Sequence, residues 1–205
     1  MPSAAAGGSG NAPHSVDWEG RYQSNDTPWD KGFAAPPLIE WMEQNEFGGR
    51  VLVPGCGTGY DVREIARSGA YVIGLDLAPS AINFADAQPR IGSERYRLAN
   101  FLELPPEMVG AFDFVFEHTL FCAIDPACRP TYVRSAAASL APGGKLVAIF
   151  FLDVGHGEDG PPFGTSRDEL DALFDEQFEV LEESVPTRSY EGREGCELLR
   201  IYRRR

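Results

Sequence analysis

The run Pro54-Gly55-Cys56-Gly57-Thr58-Gly59 and the acidic Asp76 beyond it are the residues best placed to do chemistry. Glycines at alternate positions let a backbone turn tightly and approach a ligand with no Cβ in the way. A carboxylate such as Asp76 can accept charge-assisted hydrogen bonds from a pair of hydroxyls, as on a ribose. Trp18, Tyr22 and Trp29 stand among polar residues near the start of the chain and follow no periodic pattern. Aromatics of that kind either close a core edge or cover a ligand, and their faces attract cations by about 0.5–2 kcal/mol each. Asn100-Phe101 could offer a hydrogen bond and a stacking face, and Glu117-His118 a base, a substrate contact or a plain polar strand end.

A dinucleotide fingerprint requires G-x-G-x-x-G, whose third glycine allows close packing beside a pyrophosphate. Tyr60 occupies that third position here, and the third glycine comes one residue early, at Gly59. G-x-G-x-G followed by an acid is the pattern of S-adenosylmethionine (SAM) methyltransferases, whose cofactor has no phosphate to grip. A nucleotide-dependent oxidoreductase is therefore a distant reading, and a glycine turn with no ligand a further one.

The positioning elements follow from periodicity. Val51 to Val53 reads as a buried parallel strand, Thr58 to Arg67 as a helix with Val62, Ile65 and Ala66 on one face, and Tyr71 to Leu75 as a second strand ending on Asp76. Pro36-Pro37 opens a short helix with Trp41 as a core residue, and Pro79 opens another that stops before Pro89. Further strands are expected at Arg95 to Ala99, Phe112 to Phe116, Lys145 to Phe151, Phe178 to Val185 and Glu197 to Tyr202, the last two as an antiparallel hairpin. A helix is expected over Pro130 to Leu140, closed by Pro142-Gly143-Gly144, and Ser166 to Glu169 fits a capping box. Strands alternating with helices predict a doubly wound α/β sheet of seven strands, whose ligand lies beyond the carboxyl ends of the strands.

A length of 205 residues suits one well-cored domain. Residues 1–15 are small and polar and read as a flexible leader. Residues 16–205 read as a single methyltransferase domain, with 16–46 as N-terminal lid and helix. The loop Asp153 to Thr165, rich in Gly and Pro, is long enough to be functional. A net charge of -13 opposes binding to nucleic acid or an anionic membrane surface. Four cysteines without a C-x-x-C pair and only three histidines predict reduced thiols, a cytoplasmic protein and no metal site. A monomer acting on a small molecule is the expected state.

Trp18-Glu19, Thr27-Pro28-Trp29-Asp30-Lys31-Gly32, Leu52 to Gly57, Gly74 to Leu77 and Phe121 to Pro126 followed by Arg129-Pro130 together make a more specific signal. In these blocks, and over nearly the whole domain, the chain resembles the thiopurine S-methyltransferase superfamily, most of all its plant-type halide, thiocyanate and thiol methyltransferase branch. The resemblance implies a SAM-binding fold with Trp18, Tyr22, Trp29, Gly55, Asp76, Asn100, Phe101 and His118 at cofactor positions, and Gly57, Leu77 and Glu117 beside them. S-adenosylhomocysteine would be the product. Tyr22 and Phe151 depart from the tryptophan and tyrosine of the plant relatives, which bears on the choice of acceptor.

The reading is a SAM-dependent methyltransferase for a small soft nucleophile: a thiol, thiocyanate, bisulfide or halide. Soft anions need no general base, so no catalytic triad is expected, and positioning alone can supply up to roughly 7–11 kcal/mol. The expected acceptor wall is Phe121, Phe150, Phe151 and Phe163, with Arg188 or Arg193 as the local cation. A thiopurine-type or other heteroatom methyltransferase and a non-catalytic SAM-binding protein are the alternatives.

Overall fold

The computed structural model describes residues 16–152 and 160–205. The expected leader and the first part of the loop expected from Asp153 to Thr165, residues 153–159, lie outside them. Seven strands form one sheet in the order β3-β2-β1-β4-β5-β7-β6. These are β1 Arg50–Pro54, β2 Tyr71–Asp76, β3 Ser93–Leu98, β4 Phe112–His118, β5 Leu140–Phe151, β6 Phe178–Ser184 and β7 Glu197–Arg204. β1 to β5 are parallel neighbours, while β7 runs antiparallel between β5 and β6. This is the doubly wound α/β sheet with the C-terminal antiparallel hairpin. The chain winds outward from β1 through β2 to β3, then returns to place β4 on the other flank of β1. That reversal opens a crevice at the carboxyl ends of β1 and β4, the place where such sheets bind ligands.

The helices are α1 Trp18–Gln23, α2 Pro36–Met42, α3 Tyr60–Ala66, α4 Pro79–Ala87, α5 Arg129–Ser139 and α6 Arg167–Phe174. Alternation along the central strands divides the core in two. Leu52, Val115, Leu146 and Ala148 face Tyr132, Val133 and Phe174 from α5 and α6. Val51, Val53, Val72 and Val147 face Leu38 and Trp41 from α2 and Val62 and Ile65 from α3. Trp41 is 9% exposed and belongs to this core, as its spacing predicts.

The ends of β5 and α6 differ from the sequence expectation. β5 begins at Leu140, before the Pro142-Gly143-Gly144 turn, because Leu140 pairs with Phe112 while Lys145 pairs with Phe114. The extra residues bulge out of the ladder at a register shift and do not end the strand. At α6 the Ser166 hydroxyl accepts from the Glu169 amide at 3.2 Å. The Glu169 carboxylate turns away, however, to the Arg129 guanidinium and the Thr165 hydroxyl. The capping box is thus only half formed, and its acid joins the C-terminal helices instead.

Candidate active site

The glycine turn is shaped by positive backbone angles. Gly57 and Gly59 have φ of 52° and 80°, a region that costs a side-chain-bearing residue roughly 1–2 kcal/mol. A Cβ on Gly59 would sit 2.6 Å from the Tyr96 ring, and one on Gly57 would meet the Tyr22 hydroxyl at 3.0 Å. Space is thus kept on both sides of the turn, against β3 below and the N-terminal segment above. α3 starts at Tyr60, two residues later than its periodicity suggests, because the Thr58 hydroxyl donates to Asp30 and Gly59 is left-handed.

Asp76 closes the tip of β2. One carboxylate oxygen accepts the Gly57 amide at 2.8 Å and the other the Ala78 amide at 2.9 Å. Burial raises its pKa, and those backbone donors pull the other way. Each oxygen keeps a further lone pair for an incoming hydroxyl.

Over this tip lies a cavity of about 440 Å³, lined by Gly55, Gly57, Asp76, Leu77, Asn100, Phe101, His118 and Phe151 and roofed by Trp18, Tyr22 and Trp29. The roof is internally braced. Trp29 meets Trp18 and Tyr22 edge to face, at 5.2 and 5.7 Å between centroids. Its Nε1 donates to the Tyr22 hydroxyl at 3.2 Å. No residue of α1 is buried, yet the helix is fastened: the Glu19 carboxylate accepts both the Ser80 amide and the Ser80 hydroxyl, capping α4 from a distance. The Arg21 guanidinium sits 4.5 Å from the centre of the Trp29 ring, so one face of that ring already holds a cation.

Three sequence expectations need correction. Glu117 does not reach the cavity: its carboxylate is fully buried, accepting the Phe121 amide at 2.8 Å and the Tyr132 hydroxyl at 2.7 Å. Burial raises its pKa to about 7. The acceptor wall is also smaller than expected. Phe121 and Phe150 turn into the core, edge to face at 5.1 Å, and Phe163 lies off the cavity with its amide on the Cys122 carbonyl. Only Phe151 of the four lines it. Arg188 is tied to Glu43 and, through its amide, to Glu40 on the outer surface, where its side chain is 51% exposed. Arg193 lines the cavity instead, 5.1 Å from the Phe151 ring centre and 3.5 Å from the Glu197 carboxylate.

The structure adds residues that sequence reading did not single out. Asp61, at the start of α3, accepts the Ala35 amide at 2.7 Å with one oxygen and contacts His118 Nδ1 at 3.0 Å with the other. Tyr190 stacks on the His118 ring at 5.9 Å, and its hydroxyl donates to the Phe33 carbonyl. An acid in a first helical turn and a tyrosine in a loop carry no local signature, so only the fold brings them together. Cys56 and Cys122 also line the cavity, and burial pushes both thiols up, Cys122 to about 12. Neither is a competing thiolate. Among the described residues no three His, Cys, Asp or Glu side chains are grouped to hold a metal ion. Nor is any helix among them long and apolar enough to cross a membrane.

Comparison with known proteins bears directly on this cavity. The family profile of thiopurine S-methyltransferase (TPMT) matches residues 14–193. A probable thiol methyltransferase 2 of Arabidopsis thaliana is 32% identical over 162 residues, covering 77% of this chain and 70% of that protein. Thiocyanate methyltransferase 1 of the same plant is 35% identical over 154 residues, covering 71% and 65%. The chain thus spans about two thirds of the length of these relatives. Among solved structures, a Burkholderia thailandensis 1,6-didemethyltoxoflavin N1-methyltransferase with bound S-adenosylhomocysteine superposes with a TM-score of 0.73. It is 20% identical, over 98% of this chain and 94% of that one, a likeness of fold. With a profile match over most of its length, the chain belongs to the thiopurine S-methyltransferase family of SAM-dependent methyltransferases.

Proposed function

We propose that this methyltransferase acts on a small, soft nucleophile, a thiol or thiocyanate before a halide or bisulfide, held between the β1–β4 tips and the C-terminal loop. The observation that carries the reading is the cavity's lining. Asp76, Asn100 and the glycine turn line it for the cofactor, and Phe151, Cys122 and Arg193 add apolar surface and a guanidinium for the acceptor. The names of the plant relatives, thiol and thiocyanate methyltransferase, agree with it.

The cavity fits SAM on its own features. The glycine turn leaves a cradle that a Cβ would fill, and Asp76 keeps acceptor capacity beside it. Asp76 would hold the ribose hydroxyls, with Gly55, Gly57 and Leu77 along the backbone and Asn100 and Phe101 at the adenine. Trp18, Tyr22 and Trp29 would cover the sulfonium. When bound, SAM supplies a methyl carbon activated by its positive sulfur. The chain's part is to hold the acceptor beside it and keep water out, and Arg193 offers an anionic acceptor its charge. Both pocket thiols stay protonated, which spares them from methylation.

Residues 16–205 act as one domain in this reading, with 16–46 as a lid latched by Glu19 on Ser80. A monomer in the cytoplasm that binds no nucleic acid completes the proposal. The family profile supports a second acceptor class, thiopurines and related heteroatom compounds. SAM turnover against thiocyanate, sulfide, an alkyl thiol, iodide, a thiopurine and a catechol separates the two. The small sulfur acceptors are expected to lead, and a lead for the thiopurine would favour the second class. Faster methylation of the catechol than of any sulfur acceptor would refute the soft-nucleophile reading, and cofactor binding without any turnover would mark a binding protein.

A further inference from the structure

We infer that His118 is a general base for acceptors that arrive protonated, and that Asp61 positions it. The inference rests on the thiol reading above and narrows it to neutral thiols, R–SH. The Asp61 carboxylate lies 3.0 Å from His118 Nδ1 and is itself fixed by the Ala35 amide, so it is placed to accept an Nδ1–H and to select that tautomer of a neutral imidazole. Nε2 is then a bare lone pair. It is buried and has no hydrogen-bond partner among the described residues, although the ring lines the cavity. A buried acceptor without a donor is destabilising, and a group bringing its own proton would relieve it. Tyr190 stacks on the ring at 5.9 Å and Phe116 lies 6.4 Å away, so two aromatic neighbours restrict its orientation.

The charges of the cavity point the same way. Four carboxylates, Asp30, Asp61, Asp76 and Glu191, line it against Arg21, Lys31 and Arg193, and two of those cations are already paired, with Asp26 and Glu197. Such a site favours an acceptor that enters uncharged. The acceptor's S–H bond breaks as its sulfur forms the new S–CH₃ bond. The proton passes to His118 Nε2, and the electron pair of the broken donor C–S bond stays on S-adenosylhomocysteine. The product is a neutral thioether, and the new imidazolium is stabilised by Asp61 until it releases its proton to water. The ionisable groups around this imidazole are Asp61 on α3, Tyr190 and Arg193 on the C-terminal loop, Asp30 on the N-terminal segment and its neighbour Glu117 in β4.

The test compares an alkyl thiol, protonated at pH 7, with thiocyanate, which has no proton to lose, in the full-length wild type, His118→Asn and Asp61→Asn. General bases contribute about 10²–10⁴-fold. His118→Asn should therefore lower kcat/KM for the thiol at least about tenfold more than for thiocyanate, and the thiol deficit should shrink as pH rises toward the thiol's own pKa. Nitrogen-15 NMR of histidine-labelled, unliganded protein should show His118 as the Nδ1–H tautomer in the wild type, and Asp61→Asn should reproduce the thiol-selective loss in kcat and its pH dependence, which loss of a merely structural carboxylate would not. Calorimetry with S-adenosylhomocysteine separates a cofactor role. Equal losses on both acceptors, an Nε2–H tautomer, or a deficit explained by lost cofactor affinity would each overturn the inference. If the wild type methylates neither acceptor, the soft-nucleophile reading falls, and this assignment with it.

Discussion

The β1–β2 tip and the C-terminal loop face each other across one cavity, yet they are built by opposite means. The tip is made of backbone. Gly57 and Gly59 hold positive φ, and Asp76 fastens the turn through the Gly57 and Ala78 amides, all within a short stretch of chain. The loop between β6 and β7 is made of side-chain ties to distant elements. Its Thr187 and Arg188 amides donate to Glu40 on α2 and the Tyr190 hydroxyl to Phe33, while Arg193 reaches only Glu197, at the start of the next strand. A site built from local backbone is fixed by sequence spacing, and its ligand chemistry with it. One built from long-range ties can change acceptor when a few side chains change. That contrast suits a family that shares one methyl donor and differs in what it methylates.

The sharpest way to break this contrast is at Asp76. If the tip is the cofactor half, Asp76→Ala should weaken SAM binding by about 2–3 kcal/mol, the upper range for bonds to a charged group. That is roughly 30–150-fold in Kd. Isothermal calorimetry checks it, and a change of less than about threefold would move the ribose site elsewhere. The same substitution should leave the relative rates of different acceptors as they were.

Legibility from sequence followed the same divide. The strand of β-branched residues, the glycines and the acid at the next strand end lie close together, so periodicity and turn chemistry placed them and the doubly wound sheet. The aromatic roof was visible as residues without a core to join, though not as a helix latched to Ser80. Across the cavity, apolarity alone could not say which way a phenylalanine turns. Phe121 follows Glu117 by one helical turn's worth of chain, and its amide caps that buried carboxylate, which sends the ring into the core. His118 was visible at its strand end and Asp61 was not, and only the return of the chain to β4 makes them a pair.

Glu117 lies beneath the boundary between the two regions, and it sharpens the contrast through pH. Burial raises its pKa to about 7, above the value of about 4.3 for a free glutamate. The folded state therefore holds a proton that the unfolded chain has lost between these values. This contribution to stability is complete below the lower value and is lost as pH rises through the folded one. Glu117→Gln cannot ionise, so its stability relative to the wild type should improve between pH 4.5 and pH 8, by about 3 kcal/mol. Urea unfolding at the two pH values measures it. A difference that does not vary with pH would mean the carboxyl stays ionised in the fold.

The smallest effect should come from the two arginines of the loop, and it decides whether long-range ties really set the acceptor side. Arg188 is bound to Glu43 with both side chains half exposed, and such pairs contribute little. Arg188→Ala should therefore change KM for every acceptor by less than about twofold. Arg193 differs in burial, with its side chain 16% exposed and the guanidinium packed on Phe151 and Tyr190. Its removal takes away a cavity cation and also leaves Glu197 buried beside the gap, so an absolute loss of activity would be ambiguous. The ratio between acceptors is not, because packing damage falls on both alike. Arg193→Ala should raise KM for thiocyanate about tenfold more than KM for a neutral thiol, in line with one charge-assisted contact. Steady-state kinetics with the two acceptors reads that ratio. A ratio near one for Arg193→Ala, or a large one for Arg188→Ala, would place the acceptor outside the pocket that the loop closes.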